Sequence, residues 1–488
     1  MTHMAGTALD DFKASLKRDD LVEWLRSGLI GDGIEFDTPF GSKELIYADY
    51  VASGRALRQI EDFVMERVLP FYANSHTEAS YVGGTMTRMR EQARREIARI
   101  VGADDDTVVA FTGSGATAGI NRLVHLLGAS DASDGAERPL VVIGPYEHHS
   151  NILPWRESGA EVVEIAEAPT GGPDLDELEN VLARAGQSRL KIGAFSQMSN
   201  VTGIVTDVDA VTRVLNRHGA RSLWDCAGSG SYLPISMDLG KDTQKDALVY
   251  SPHKFIGGPA ATGVIVLRKE VVMRAQPVFP GGGTVRFVSP WAHDYSDNIA
   301  TREEAGTPNV VGDIRAALVF LVREALMNAG MHERHKALKA RALSVWAKNP
   351  AIEIMGNQDA DMPLPTFSFR VRDMKKGGYL HQQLVTRMLS DLYGVQARGG
   401  CACAGPYAHR LLGMNEIESE RLRAEILSGK ETLKPGWTRL NLSVLHSDEK
   451  ADRIIHAVDE LAADPYPMCD WYECDHTTAR FRPVVEAA

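Results

Sequence analysis

What the chain has little of narrows the field before any motif is read. Cysteine is scarce, with five residues in 488, and their spacing does not make the framework of a disulfide-stapled secreted domain, so the thiols are expected to be reduced. Positive charge is in deficit: 53 Lys and Arg stand against 65 Asp and Glu, for a net charge of −12. That excludes the basic surface that nucleic-acid binding requires. No apolar run reaches the ~18 residues of a membrane span. The start of the chain, Met1 to Gly6, leads into Asp10-Asp11 rather than into the basic and apolar regions of a secretory signal. The expectation is a cytoplasmic protein with neither nucleic acid nor membrane as partner.

What is present is an ordinary globular composition, 44% hydrophobic and 24% charged, in a chain too long for one core, so a large and a small lobe are expected. Residues 7–28 read as one or two amphipathic helices, with Thr7 and Asp10 spaced as a capping box, ahead of a glycine-rich break at Gly28 to Gly33. This makes 1–46 an N-terminal arm. From about residue 47, apolar β runs (Val108–Phe111, Leu140–Ile143, Glu161–Ile165, Ile192–Phe195, Ser222–Trp224) alternate with helical stretches, the pattern of a mainly parallel α/β sheet. The polar cluster Asp131–Glu137 reads as a surface loop. A helical stretch over 310–347, then a strand-like Pro363–Val371, open a smaller α+β domain. The expected division is 47–320 and 321–488.

Five constellations carry chemistry. Tyr250-Ser251-Pro252-His253-Lys254 is followed by Phe255-Ile256-Gly257-Gly258. A lysine at a strand end is ordinarily a surface residue, but apolar, glycine-rich flanks would desolvate its amine and favour the neutral nucleophile. Leu223-Trp224-Asp225 is a short apolar strand ending in a carboxylate, 29 residues before Lys254. Such an Asp is either a turn former or the partner that a pyridine nitrogen needs. The run into Thr112-Gly113-Ser114-Gly115-Ala116-Thr117 is a strand, a small-residue turn and a helix start, which can present backbone N–H groups to a phosphate, though such turns are common without one. Glu147-His148-His149-Ser150-Asn151 puts an imidazole at a strand's carboxyl end, to stack on a ring or shuttle a proton. Adjacent histidines rarely converge on one ion, so no metal is expected. Last, Arg398-Gly399-Gly400-Cys401-Ala402-Cys403-Ala404-Gly405-Pro406 lacks zinc and thioredoxin spacings; it reads as an accessible nucleophilic thiolate near Arg398, or as two small hydrophobes in a tight loop. Cys469 and Cys474, in an aromatic tail, read as incidental.

Together these sites resemble the cysteine desulfurase and selenocysteine lyase branch of the class V aminotransferase-like, fold-type I enzymes that use pyridoxal 5′-phosphate (PLP), over roughly residues 47–460. The resemblance implies a large domain with a mainly parallel, seven-stranded type of sheet flanked by helices, and a smaller α+β domain. It makes Lys254 the Schiff-base lysine and assigns Ser251, His253, Gly115, Ala116 and Thr117 to the PLP phosphate. It puts Asp225 on the ring nitrogen, His148 over the ring and Asn200, in Ser199-Asn200-Val201-Thr202-Gly203, by the phenolic oxygen. Asn74-Ser75-His76 and Glu304-Ala305-Gly306-Thr307-Pro308-Asn309 match further motifs; the threonine of the latter serves the phosphate across a dimer interface in the family, so Thr307 implies a homodimer. Cys403 matches the persulfide-forming cysteine, and Arg439 the arginine that holds the substrate carboxylate, with His76 and Asn200 also toward the substrate.

The implied reaction is conversion of L-cysteine to L-alanine with a persulfide on Cys403, passed to an acceptor protein or small thiol. The alternatives on the same scaffold are a C–S lyase, an epimerase or an aminotransferase. Two departures stand out. Gly228 occupies the place of a glutamine beside the phenolic oxygen, and Cys401 adds a second thiol where histidine is frequent.

Overall fold

The computed structural model describes residues 7–75, 77–130, 137–186 and 189–484. His76 and residues 131–136 of the expected surface loop lie outside this range. The chain forms two compact units, one of Met1–Gly28, Ser53–Met198 and Thr206–Ala329, the other of Leu29–Ala52, Ser199–Val205 and Gly330–Ala488. This redraws the expected boundaries: the N-terminal arm is shared between the units at Gly28, and the division near 320 moves to 329–330. The reason is local. Val310–Asn328 is one uninterrupted helix, buried on nearly every side, and Gly330, at φ +84°, ends it in the left-handed conformation that closes helices. The stretch expected to be helical over 310–347 is therefore two helices, Val310–Asn328 and Met331–Trp346.

The larger unit is built on a seven-stranded sheet: β1 Thr107–Gly113, β2 Leu140–Ile143, β3 Glu161–Glu164, β4 Lys191–Ser196, β5 Arg221–Asp225, β6 Ala247–Tyr250 and β7 Gly263–Arg268. Their order across the sheet is β1-β7-β6-β5-β4-β2-β3. The five strands from β6 to β3 are parallel, and β7 runs antiparallel to both neighbours. Central strands such as β2, β4 and β6 are buried at every residue. A sheet covered on both faces demands continuous apolar runs instead of alternation, which is how these segments read in the sequence. The N-terminal helix Ala8–Ser15 starts at the expected capping box, Thr7 with Asp10, and buries Leu9 and Phe12, the latter edge-on to Phe63.

The smaller unit holds a four-stranded antiparallel sheet of β8 Ile352–Ile354, β9 Thr366–Val371, β10 Arg398–Gly400 and β11 Trp437–Asn441, in the order β8-β9-β11-β10. Its core gathers Trp346, Phe367, Phe369, Met388, Leu440 and Ile454 from the sheet and from helices Met331–Trp346, Gln382–Tyr393 and Asp448–Ala463. Ile46–Tyr47 pairs in parallel with Val395–Gln396, which fixes the segment that ends in Asp49. The C-terminal tail closes as a hairpin, Tyr472–Asp475 with Arg480–Pro483, and the Tyr472 hydroxyl donates to Asp391 Oδ2 at 3.1 Å. Among the described residues no helix is long and apolar enough to cross a membrane.

Candidate active site

In the larger unit the sequence-predicted residues meet at the carboxyl ends of the parallel strands, where open α/β sheets place their ligands. β6 runs into the short 3-10 turn Pro252–Lys254, whose ends are tied by Lys254 N–H to Ser251 O at 2.9 Å and Phe255 N–H to Pro252 O at 2.9 Å. Gly54 N–H donates to His253 O at 3.0 Å, and only glycine permits that approach, since a Cβ there would stand 1.7 Å from Phe255 O. Ser251 Oγ accepts from Ala116 N–H, at 2.9 Å, in the first turn of the helix Gly115–Leu126. Gly115, at φ +62°, is pressed so near that a Cβ would lie 2.8 Å from both Ser251 Oγ and His253 Cε1. Backbone donors, a hydroxyl and an imidazole thus converge on a helix start, a donor set suited to a phosphate.

The same cluster extends sideways. Thr117 Oγ1 and Ser150 Oγ share a hydrogen bond of 2.7 Å, and Ser150 N–H donates to His148 Nδ1 at 3.1 Å, so the His148 ring is oriented by the turn it caps. Asp225, the last residue of β5, is 4% exposed and accepts from Ala227 N–H at 2.8 Å. Burial pushes its carboxyl above the usual carboxylate range, against the pull of the Ala227 N–H and the charge of Lys254. Burial, with the charge of Lys254, lowers the His253 imidazole.

Sequence reading gave no role to Glu147, yet it lies at the heart of this cluster. Its carboxyl accepts from Ser196 N–H at 2.8 Å, Ser196 Oγ at 2.6 Å and Asn151 Nδ2 at 2.6 Å. Ser196 is the register partner of Asp225 across β4 and β5. Burial raises Glu147 to about 7, eased by those donors and reinforced by the Asp225 charge. The signal available in sequence was its place directly before His148 at the end of β2.

Thr307 is exposed on a loop anchored by its neighbour Glu304. Glu304 pairs with Arg90 and with Arg94 NH1, the latter at 2.9 Å, and accepts from Phe111 N–H at 2.7 Å.

The smaller unit collects the remaining predicted residues. Arg439 on β11 is 4% exposed; NH2 donates to Asp49 Oδ1 at 2.9 Å and NH1 to Asn200 O at 3.0 Å. Asn200 Nδ2 donates to Ala402 O at 2.8 Å, in the turn that carries Cys403. Asn200 Oδ1 and Arg439 Nε, both buried, have no hydrogen-bond partner among the described residues. Arg398 sits opposite Arg439 in the β10–β11 register, and its Nε donates to the other oxygen of Asp49 at 2.9 Å. Two like charges side by side are thus held by one carboxylate. Asp49, 390 residues from Arg439, left no trace in any local motif. Cys403 is exposed and Cys401 half-buried.

The aminotransferase class-V family model matches residues 46–427. A protein of Staphylococcus epidermidis named a probable cysteine desulfurase is 28% identical over 369 residues, covering 75% of this chain and 84% of that protein. One of Vibrio cholerae with the same name is 27% identical over 418 residues, covering 85% and 93%. Among solved structures, an apo cysteine desulfurase from Thermococcus onnurineus shares the fold with a TM-score of 0.70 at 23% identity, over 86% of this chain and 94% of that one. With most of its length inside the matched segment, the chain belongs to the class-V aminotransferase family, whose enzymes are generally PLP-dependent.

Proposed function

We propose that this protein is a PLP-dependent cysteine desulfurase, converting L-cysteine to L-alanine and leaving the sulfur as a persulfide on Cys403. The observation that carries the reading is an exposed thiol at Cys403, in a turn held by Asn200, within a class-V chain. The larger unit supports PLP as the cofactor: Ser251, His253, Gly115, Ala116 and Thr117 gather donors at a helix start, which suits a phosphate, and buried Asp225 suits a protonated ring nitrogen. Bound there, PLP supplies an electron sink for negative charge at the substrate α-carbon.

The chain's own residues divide the remaining work. Lys254 anchors the cofactor and moves the α-proton through its Nζ; Asp225 holds the proton at the ring nitrogen. His148 would stack on the ring, Asn200 would serve the phenolic oxygen, and Thr307 of a second copy would complete the phosphate site. Arg439 uses two of its five N–H groups on Asp49 and Asn200 O, which leaves one hydrogen on each terminal nitrogen for a bidentate grip on the substrate carboxylate. Asn200 also faces the substrate. The Cys403 thiolate takes the sulfur, alanine departs, and an acceptor protein or small thiol receives the sulfur.

The second reading, a C–S lyase, epimerase or aminotransferase, is favoured by Gly228, which has no side chain to offer the phenolic oxygen. One assay separates the two. With a thiol reductant present, purified protein showing the visible absorbance of bound PLP is supplied with L-cysteine, and alanine and sulfide are measured. Cys403→Ala is expected to lose turnover by on the order of a hundredfold or more, as removal of a covalent nucleophile does. Wild-type rates in that variant would sink the desulfurase and leave a PLP enzyme acting by lyase or aminotransferase chemistry.

A further inference from the structure

The reaction assigned above uses one thiol of the Cys401-Ala402-Cys403 loop and leaves the other idle. The loop's geometry gives the second one a task. Ala404 N–H donates to Cys401 O at 3.2 Å, which closes a four-residue turn over 401–404. Its central residues, Ala402 and Cys403, have φ of +55° and +56°. Positive φ at both places marks a primed turn, which Asn-Gly ordinarily fills. For residues with a Cβ the left-handed conformation is strained. The strain persists because the fold holds the turn from outside: Asn200 Nδ2 grips the carbonyl of Ala402, the residue between the two cysteines.

A central residue in left-handed helical conformation shortens the span from i to i+2 to that of a helix, about 5.4 Å between Cα atoms. Disulfide-linked residues have Cα atoms about 4.4–6.8 Å apart. Cys401 is half-buried and Cys403 exposed, and neither is in a disulfide, so two thiols share one turn whose Cα spacing falls inside that range.

We propose that Cys401 is the resolving thiol of this loop: once Cys403 carries a persulfide, the Cys401 thiolate attacks Cys403 Sγ, expels hydrosulfide and closes a Cys401–Cys403 disulfide. The bond formed joins the two Sγ atoms. The bond broken joins Cys403 Sγ to the terminal sulfur, which leaves with the electron pair as HS⁻. Two electrons pass from the thiols to the sulfane sulfur, so the step needs no outside oxidant. Hydrosulfide is a good leaving group for thiol exchange, where a more acidic thiol departs faster. The disulfide must be reopened by an external thiol reductant before Cys403 can accept sulfur again. The inference rests on the desulfurase reading for the source of the sulfur, and it makes free hydrosulfide the product and a small thiol or dithiol the co-substrate.

The test uses the full-length holoenzyme and Cys401→Ser, in two arms without reductant, read by intact mass and released sulfide. In the first, one equivalent of L-cysteine is added. In the second, inorganic polysulfide loads the loop with sulfur independently of catalysis. In both arms wild type is expected to become lighter by two hydrogens and to resume turnover only on adding dithiothreitol, and with L-cysteine to release one hydrosulfide per chain. Cys401→Ser is expected to become heavier by one sulfur in both arms and, with L-cysteine, to release at least tenfold less hydrosulfide; with polysulfide, where loading itself frees sulfide, the mass is the readout. The inference is overturned if polysulfide-treated wild type keeps the added sulfur as long as Cys401→Ser does, or forms no internal disulfide. Because that result is read on wild type, an unstable variant does not blunt it. The expected masses with polysulfide, together with no reaction from L-cysteine, would uphold the resolving thiol and defeat the desulfurase reading instead.

Discussion

At the scale of single residues, Glu147 shows how burial and hydrogen bonding set a charge state. Its folded value of about 7 lies above the ordinary 4.5 because burial penalises the carboxylate more than Ser196 and Asn151 compensate it. A raised carboxyl binds its proton more tightly in the folded chain. Its contribution to stability is therefore complete below about pH 4.5 and is lost as pH rises through about 7, amounting to roughly 3 kcal/mol over the window. Glu147→Gln, which mimics the protonated form, is expected to flatten the fall in unfolding midpoint between pH 5 and 8. An unchanged slope in that variant would show that Glu147 is not the titrating group. The histidine, lysine and aspartate of the same cluster were legible in the sequence because each ends a recognisable apolar run or lies in a distinctive short motif. Glu147 and Asp49 were not, since what defines them is burial and a partner across the fold.

At the scale of elements, the loop bearing Thr307 depends on a charge network more than on its own turns. Glu304 joins Arg90 and Arg94, and Arg90 continues to Asp313 at 2.6 Å. Burial would raise Glu304, but the two guanidinium groups and the Phe111 N–H prevail and hold it below the usual range. Its stabilising share is accordingly present above about pH 4.5 and lost as pH falls through the lowered folded value. Glu304→Ala removes the buried carboxylate shared by two arginines, leaving Arg90 to Asp313 and Arg94 to Glu91, and is expected to cost about 3 kcal/mol in urea unfolding at neutral pH, the low end for a broken buried pair. A loss under about 1 kcal/mol, the scale of an exposed ion pair, would contradict the anchoring role. Strand placement was readable in advance because a doubly covered sheet needs unbroken apolar runs; the break at Gly330 was not, because apolar residues continue on both sides of it.

At the scale of the whole molecule, the reading of Thr307 makes the active unit a pair. If Thr307 of one copy serves the phosphate site of the other, a mixed dimer of Lys254→Ala and Thr307→Ala chains contains one site with both lesions and one with neither. Each variant alone is expected to be severely impaired, and a refolded mixture of the two to recover up to about a quarter of wild-type turnover, from half the molecules pairing and one site working in each. No recovery on mixing, with dimers demonstrated by sedimentation, would place Thr307 in its own subunit's site or in none.

The family was visible in one dimension, because a lysine, a carboxylate and a glycine-lined helix start at strand ends need particular residue types at those places. The sequence by itself also determined the α/β alternation, through the period of its apolar runs. Tertiary structure alone decided which charges are shared, as Asp49 is between Arg398 and Arg439, and which carboxyl is raised toward neutrality by burial. It also decided that Ala402 and Cys403 adopt a left-handed turn. The physical reason is the same in each case: pairing, desolvation and imposed strain depend on atoms distant in the chain, and no local pattern records them.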